Sequence, residues 1–325
     1  MTYLERYLNG EYEQVWDELM QLGADVRQEP VYTDALSVAR ETMRRVRRNI
    51  ETLIERLPHR GYIFGYDHRV QPIEGSTFFD KQRDYLEMLA WIRTQPPIFL
   101  SANYMDEAYA EDEKYVFDLS PMFRYNIDTP EDVEEWKRSL PDGWTWPVRM
   151  STYVDEIERT IGPVPLSVRA WYEIVGAVNF FGYHPQWDEI ALSFDPLLPI
   201  LRKSRWSSSL MRECDPLQVR PLDENVLLRM QKQRSSDKPF CIFEFADDRV
   251  EKDYGHSAGT PYAFSFPDEH ADQVLAPLRY GDMEGPTFVE YLRFSLKWAG
   301  FPVLADWRPQ PKEDLEFLTR DLLPF

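Results

Sequence analysis

The segment PDEHAD holds the residues of this chain whose types and spacing come nearest to a reactive site. It brings Asp268, Glu269, His270 and Asp272 within five positions. A carboxylate beside a histidine is what a general base or a divalent metal site requires. The cluster therefore predicts, as one alternative, a metal-dependent hydrolase. The competing interpretation is a helix start, where Asp and Glu are favoured by capping alone.

Two further histidines also lie close to carboxylates. His184 and Asp188 could meet around a turn in YHPQWDE, and His256 follows Asp253. In a chain with 56 acidic residues such pairs arise by chance. We therefore interpret these histidines as ordinary surface or loop residues.

The established motifs of catalysis are missing from the sequence. It contains no glycine-rich phosphate loop, no HExxH and no GxSxG, and Cys214 and Cys241 have no CxxC spacing. Asp247 and Asp248 end a predicted strand, where catalytic acids often lie, but turn chemistry explains them equally well. The main prediction is a protein that is not an enzyme and that uses no cofactor and no metal.

The charge of the chain restricts its partners. Its 325 residues include 37 Lys and Arg against 56 Asp and Glu, so the net charge is −19. Such a body repels nucleic acid and anionic membranes, and the natural complement is a basic protein, although an acidic surface also serves solubility alone. The two cysteines, the charged N-terminal segment and the absence of a long apolar run predict a cytoplasmic protein. The oligomeric state is left open.

Residues 1–95 are predicted to be a helical region. Apolar residues repeat at spacings of three and four from Leu36 to Leu57, which predicts a long helix with Thr33 as its cap and Pro58 as its stop. Gly23 suits a left-handed cap after the preceding helix. The stripe could form a coiled-coil seam or pack on a neighbouring helix, and we favour the second. The helices resemble one unit of a HEAT-like array, without a second copy.

The long helix also carries a row of arginines. They could dock an acidic partner or a phosphate. Alternatively, they form a solvated face that carboxylates on the same helix neutralise, which is the interpretation we favour. The arginines are Arg40, Arg44, Arg45, Arg47 and Arg48, and the carboxylates are Glu41, Glu51 and Glu55.

Two further regions are predicted in the rest of the chain. Residues 96–147 form an acidic, aromatic-rich connecting region that ends in the turn-rich PDGWTWP. Residues 148–325 begin with short helices, the first with Ser151 as a possible cap, and continue with strands and a closing helix at TFVEYLRFSLKWAG. Helices followed by mostly antiparallel strands and a helix predict an α+β fold. The strands are predicted at 189–195, 240–247 and 262–267.

Residues 156–182, EIERTIGPVPLSVRAWYEIVGAVNFFG, resemble the SUKH superfamily. The family pattern is a helix that ends in Glu and Gly, a Pro-led helix with an aromatic pair, and a glycine-rich entry to the first strand. The likeness covers about the last half of the chain, and its opening motif is the specific part. The matching residues are Glu158, Gly162, Pro165, Trp171, Tyr172, Gly176, Asn179 and Gly182.

The resemblance implies an immunity protein. Bacterial members of the family neutralise toxins of contact-dependent competition by binding them directly, and other members are interaction modules, so a helical scaffold or regulator is a further alternative. In an immunity protein, the motif residues hold the fold while exposed loops contact the partner. We expect acidic and aromatic residues to supply such contacts, namely Asp106, Glu107, Tyr109, Glu111, Asp112, Tyr115, Asp247, Asp248, Glu251, Asp253 and Tyr254.

Overall fold

The computed structural model describes twelve stretches of the chain. They are residues 1–64, 99–101, 150–180, 182–184, 187, 216–220, 222, 224–234, 240–246, 262–275, 285–305 and 310–325. The predicted acidic connecting region 96–147, apart from residues 99–101, and the predicted strand 189–195 lie outside the described residues.

Three helices open the chain. Helix α1 spans Tyr3–Leu8, and Thr2 and Glu5 close a reciprocal capping box at its start. Helix α2 spans Tyr12–Gln21 and is followed by a short 3-10 helix over Gly23–Arg27. Gly23 has a φ of 56°, which confirms the left-handed conformation predicted for it.

The long helix α3 spans Val31–His59 and buries its predicted apolar stripe. Both of its predicted ends are wrong. Pro30 occupies the N-cap position, so Thr33 lies in the first turn, where its hydroxyl donates to Glu29 Oε1 at 2.8 Å. Pro58 lies inside the last turn. A proline this near the end removes only one intrahelical hydrogen bond, so the helix continues to the next residue.

Two short helices lead into the sheets. Helix α4 spans Met150–Thr160 and buries Val154 and Ile157, as predicted. Ser151 lies inside this helix, so its predicted capping role is wrong. Helix α5 spans Leu166–Ile174 and starts after Pro165, which is its N-cap.

The strands form small antiparallel sheets in the described part of the chain. They are β1 Ile63–Phe64, β2 Phe99–Ser101, β3 Gly176–Asn179, β4 Gly182–Tyr183, β5 Gln218–Val219, β6 Cys241–Ala246 and β7 Tyr262–Phe266. Strand β1 pairs with β4, β3 lies between β2 and β5, and β6 pairs with β7. The β6–β7 pair confirms two of the predicted strands, and a bulge lies between Glu244 and Ala246.

Three more α-helices, together with a 3-10 helix over Pro302–Ala305, complete the described elements. Helix α6 spans Glu224–Arg234 and precedes β6. Helix α7 spans Phe288–Lys297 and confirms the predicted closing helix, with Thr287 as its capping residue. Helix α8, Lys312–Thr319, has no counterpart among the predicted helices. None of the described helices combines the length and apolarity needed to cross a lipid bilayer.

One hydrophobic core runs through the described elements, from α1 to the residues after α8. Helix α5 lies at its centre: Trp171 meets Phe288 of α7 edge to face at 5.4 Å, and α3 packs along α5. Helices and antiparallel strands thus share one core, and the fold class is α+β, as predicted. The predicted domain boundaries at 95 and 147 fall outside the described residues and stay predictions.

Candidate protein-binding surface

Strand β6 buries one face and exposes the other. Cys241 and Phe243 point into the core, whereas Ile242 and Glu244 point to solvent. Phe240, which precedes the strand, is 53% exposed, and Ile242 is 49% exposed. Two large apolar side chains therefore lie side by side on the outer surface of the strand.

Helix α6 packs beside this strand through its own narrow apolar face. Val226 and Met230, one turn apart, are buried, and the Cys241 thiol donates to the Met230 carbonyl at 3.3 Å. Leu228 lies on the outer side of the helix and is 54% exposed. Because only a narrow face of α6 is buried, a hydrophobic repeat could not have revealed this helix in the sequence.

Gln233 fastens α6 to the edge of β6. The Ile242 amide donates to Gln233 Oε1 at 2.7 Å, and Gln233 Nε2 donates to the Ile242 carbonyl at 3.2 Å. The side-chain amide thus satisfies both outward backbone groups of Ile242, as a neighbouring strand would. These two hydrogen bonds connect the C-terminal end of α6 to the edge of β6.

A groove of about 280 Å³ lies between α6 and β6. Its walls combine apolar side chains with two opposite charges, Arg229 on the helix and Glu244 on the strand. Helix α6 carries two more exposed cations, Lys232 and Arg234, so its described outer surface is basic in a chain of net charge −19. The apolar and amide residues that line the groove are Val226, Met230, Gln233, Phe240, Ile242 and Phe243.

A larger cavity of about 830 Å³ lies between the start of α2, α3, α7 and the segment after α8. Two of its polar side chains, Asn49 and Arg293, bind the backbone of that segment. Asn49 donates to the Leu323 carbonyl at 2.9 Å and accepts from the Leu323 amide at 2.7 Å. Arg293 Nε donates to the Phe325 oxygen at 2.7 Å. These contacts anchor residues 322–325, so we assign this cavity to the packing of the fold.

The PDEHAD cluster does not converge on one point. His270 Nδ1 lies 2.6 Å from Asp268 Oδ1, and the same oxygen accepts from the His270 amide at 3.0 Å, so this pair closes a local turn. Among the described residues, no group of three or more His, Cys, Asp or Glu side chains is arranged to hold a metal ion. The predicted helix start at this segment is also wrong, because residues 268–272 are not helical.

Asp272 lies apart from the pair because it joins two helix starts. Its Oδ1 accepts from the Ser167 hydroxyl near the start of α5, and its Oδ2 accepts from the Val289 amide at 2.9 Å near the start of α7. Burial raises the pKa of Asp272, and the hydrogen bonds counteract that rise. These partners give the carboxylate a structural role, in which it satisfies donors at two N-termini.

His184 is buried and does not expose its ring to a substrate. Its Nε2 donates to the Arg60 carbonyl at 2.6 Å, and its Nδ1 accepts from the Trp187 amide at 3.1 Å. Burial lowers the pKa of His184, which keeps the ring neutral. Its predicted neighbour Asp188 lies outside the described residues, as do Asp253 and His256.

The residues that resemble the SUKH pattern organise the turn around α5. Gly162 has a φ of 136°, and a Cβ there would lie 2.7 Å from Pro267 Cβ. The Trp171 indole donates to the Gly176 carbonyl, and the Tyr172 hydroxyl donates to the Arg220 carbonyl at 3.0 Å. Gly176 has a φ of 93°. These residues pack and turn the chain, as expected of a motif that holds a fold.

Glu158, another residue of the pattern, belongs to a chain of ion pairs. Its carboxylate lies 2.6 Å from Arg169 Nη1 and 3.4 Å from Arg27 Nη1. Arg169 also pairs with Glu173, which pairs in turn with Arg40 of α3 at 2.8 Å. The charges alternate and link the N-terminal helices to α4 and α5.

The arginine row of α3 is only partly the neutralised face that its spacing predicts. Arg44 and Arg45 pair with Glu41, and Arg47 pairs with Glu51, as predicted. However, three of the arginines also reach other elements. Arg40 pairs with Glu173, Arg45 donates to the Pro324 carbonyl, and Arg47 donates to the Ile174 carbonyl.

The residues predicted to contact a partner all fall outside the described part of the chain. The α6–β6 groove was not among the sequence predictions. A possible signal was the apolar pair Phe240 and Ile242, which alternates with buried residues in the predicted strand.

In comparisons with protein-family models, with curated proteins and with solved structures, no match to this chain is found.

Proposed function

We propose that this chain is an immunity protein that neutralises a cognate bacterial toxin by binding it directly. The observation that carries the proposal is a pair of half-exposed apolar side chains, Phe240 and Ile242, that border the groove between α6 and β6. Exposed apolar side chains around a preformed groove are typical of protein-binding surfaces, where a few anchors supply most of the binding energy.

The charge of the chain supports a basic toxin as the partner. A net charge of −19 attracts a cationic protein over distances of about a Debye length and raises its association rate. The same charge disfavours nucleic acid and anionic lipid as ligands. The proposal places the encounter in the cytoplasm, where a delivered toxin would act.

The resemblance to the SUKH superfamily supports the same class of function. Gly162, Trp171 and Gly176 make the turn and the core contacts that such a motif requires. In the proposed immunity protein these residues hold the fold, and the surface of α6 and β6 meets the toxin.

The two alternatives have less support from the described residues. In the hydrolase, Asp272 would have to leave the buried contacts with Ser167 and Val289 to join His270. In the helical scaffold, the α3 stripe would have to recruit a partner helix, but that stripe is already buried in the core. Protein binding through α6 and β6 requires neither change.

Co-expression with the protein encoded by the adjacent gene tests the proposal. We expect the two proteins to co-purify as one complex in size-exclusion chromatography, and we expect the chain to restore the growth of cells that express that protein. Cells expressing an unrelated acidic protein are the control. If there is neither a complex nor protection, the proposed function is wrong.

A further inference from the structure

We propose that Gln273 closes the outer edge of β7 against the addition of a strand from a second copy of this chain. Gln273 lies in the segment after β7 and is 5% exposed. This closure does not depend on the proposed function, because it concerns the β6–β7 pair whatever the protein binds. The features that carry it are the hydrogen bonds of Gln273, the way its side chain is fixed and the sequence of the strand that it covers.

The Gln273 side chain occupies the place of a strand partner. The Ser265 amide of β7 donates to Gln273 Oε1 at 3.0 Å, and Gln273 Nε2 donates to the Ser265 carbonyl at 2.6 Å. A side-chain amide has the donor and the acceptor of a peptide group, so it satisfies both outward backbone groups of Ser265 as an added strand would. Among the described strands β7 pairs with β6 alone, and an unpaired edge is a template for another chain.

Gln233 makes the corresponding two bonds on the opposite edge of the pair. Ser265 faces Ile242 across the β6–β7 ladder, and Gln233 bonds the outward amide and carbonyl of Ile242. On that side, however, α6 also packs against β6, and the Arg220 amide donates to the Phe245 carbonyl at 2.6 Å. Other elements therefore cover the edge of β6 as well, whereas the outward groups of Ser265 bond to one glutamine side chain.

Gln273 is held in one orientation before any second copy arrives. Its Nε2 also donates to Asp268 Oδ2 at 2.9 Å, so turning the amide group over would set its oxygen against a carboxylate. The Gln273 backbone is fixed as well, since its amide donates to Asp272 Oδ1 at 3.0 Å and its carbonyl accepts from the Phe288 amide at 2.9 Å. An incoming strand would have to displace the side-chain bonds before it could pair with Ser265.

The strand pair has a sequence that favours pairing with further strands. Strand β7 reads YAFSF and contains no charged side chain, and β6 reads CIFEFA with Glu244 as its one charge. Short segments of high β-propensity and low charge pair readily with copies of themselves, and charges or prolines in an edge strand oppose this. Since β7 itself contains neither, the closure of its edge depends on Gln273.

The variant Gln273→Met tests the closure, because methionine has nearly the same length and removes the side-chain hydrogen bonds. Sedimentation velocity of the full chain over a range of concentrations measures self-association. About 0.5 M salt screens the repulsion between two chains of net charge −19. We expect Gln273→Met to associate at concentrations about tenfold below those of the wild type, because the outward groups of Ser265 become available to the second copy.

Gln233→Met is the matched control. It loses the same kind of bonds to Ile242, but α6 still covers that edge, so its self-association should equal that of the wild type. Hydrogen exchange locates the contact. The Ser265 amide should be protected in the wild type at every concentration, whereas in Gln273→Met it should exchange rapidly in dilute solution and become protected on association.

Four results would overturn the proposal. The first is a folded Gln273→Met, by near-ultraviolet circular dichroism, that associates no more than the wild type. The second is equal association of Gln273→Met and Gln233→Met, which would indicate a general loss of stability. The third is association that leaves the Ser265 amide in rapid exchange, and the fourth is rapid exchange of that amide in the wild type itself. If Gln273→Met does not fold, Gln273→Ser, which leaves space for water at the two backbone groups, replaces it in the same measurements.

Discussion

The imidazole of His184 has both nitrogens in hydrogen bonds, and these partners decide what the ring can do. Nε2 donates to the Arg60 carbonyl and Nδ1 accepts from the Trp187 amide, so only the neutral tautomer with its proton on Nε2 satisfies both. Asp314 accepts from Arg60 Nε at 2.6 Å and from Trp187 Nε1 at 3.1 Å, beside the ring. A proton on Nδ1 would face the Trp187 amide hydrogen and break that contact.

At the residue scale, His184 should make the stability of the protein depend on pH. Burial lowers the pKa of the folded ring below its usual value of 6.5. Above pH 6.5 the His184 ring is neutral in both the folded and the unfolded protein, and its contribution to the free energy of unfolding has its full value. As the pH falls below that value, the unfolded state binds a proton first, and stability declines until the folded ring also titrates. The loss is about 1.4 kcal/mol for each unit between the two pKa values.

Urea unfolding across the range from neutral to mildly acidic pH measures this effect. The variant His184→Gln should be less stable at neutral pH but should lose less stability on acidification. His59→Gln, which alters an exposed histidine at the end of α3, is the matched control and should retain the full decline. If the free energy of unfolding falls equally on acidification in His184→Gln and in the wild type, His184 is not the source of the pH dependence.

At the scale of elements, α3 holds the C-terminal segment through polar side chains placed along one side. Arg45 donates to the Pro324 carbonyl at 3.0 Å, Asn49 makes two hydrogen bonds with the Leu323 backbone, and Arg56 donates to the Leu318 carbonyl at 3.0 Å. Successive spacings of four and seven residues keep these side chains in line on the helix. The helix therefore positions the end of α8 and the irregular segment that follows it.

The variant Asn49→Ala should loosen this attachment. Asn49 is 2% exposed, and its loss leaves the Leu323 amide and carbonyl without their partners, which should cost about 3 kcal/mol. Its exposed neighbour variant Arg48→Ala should change the free energy of unfolding by less than about 0.5 kcal/mol. Denaturant unfolding gives the two free energies, and hydrogen exchange at Leu323 reports the local release. Similar values for both variants would contradict the attachment.

At the scale of the whole molecule, the N-terminal helices belong to the same core as the strands. Helix α3 packs along α5, and the ion pair between Arg40 and Glu173 joins them at 2.8 Å. Arg27 reaches α4 through Glu158. The exposed fractions of Glu173 and Arg169 are only 13% and 15%, so solvent screens this part of the ion-pair chain less than a surface pair.

Residues 148–325 produced without the N-terminal helices should therefore not fold cooperatively. Removing α3 exposes the apolar face of α5 and leaves Glu173 without Arg40. Near-ultraviolet circular dichroism and thermal unfolding should show no cooperative transition for this fragment, whereas the full chain should show one. A fragment that unfolds with a sharp transition would instead establish an independent C-terminal domain.

Local patterns in the sequence predict the elements whose own residues specify them. The apolar stripe of α3, the alternation of β6 and the closing helix α7 are of this kind, because apolar residues recur in their sequences at the period of a helix or a strand. Helix α1 carried a capping box in Thr2 and Glu5 that the predictions overlooked. Helices α6 and α8 bury few of their described residues, so the hydrophobic repeat in their sequences is weak. Packing against neighbouring elements stabilises these two helices.

The sequence by itself determined the net charge, the α+β class, the apolar stripe of α3 and the glycine and proline positions around α5, because each depends on residue types or on neighbours along the chain. Only the tertiary structure decided that Asp272 joins two helix starts and that His184 is closed to solvent. It also decided that Phe240 and Ile242 border a groove with Arg229. The physical reason is that hydrogen bonding, burial and charge pairing act between residues far apart in sequence, and a linear pattern does not contain those distances.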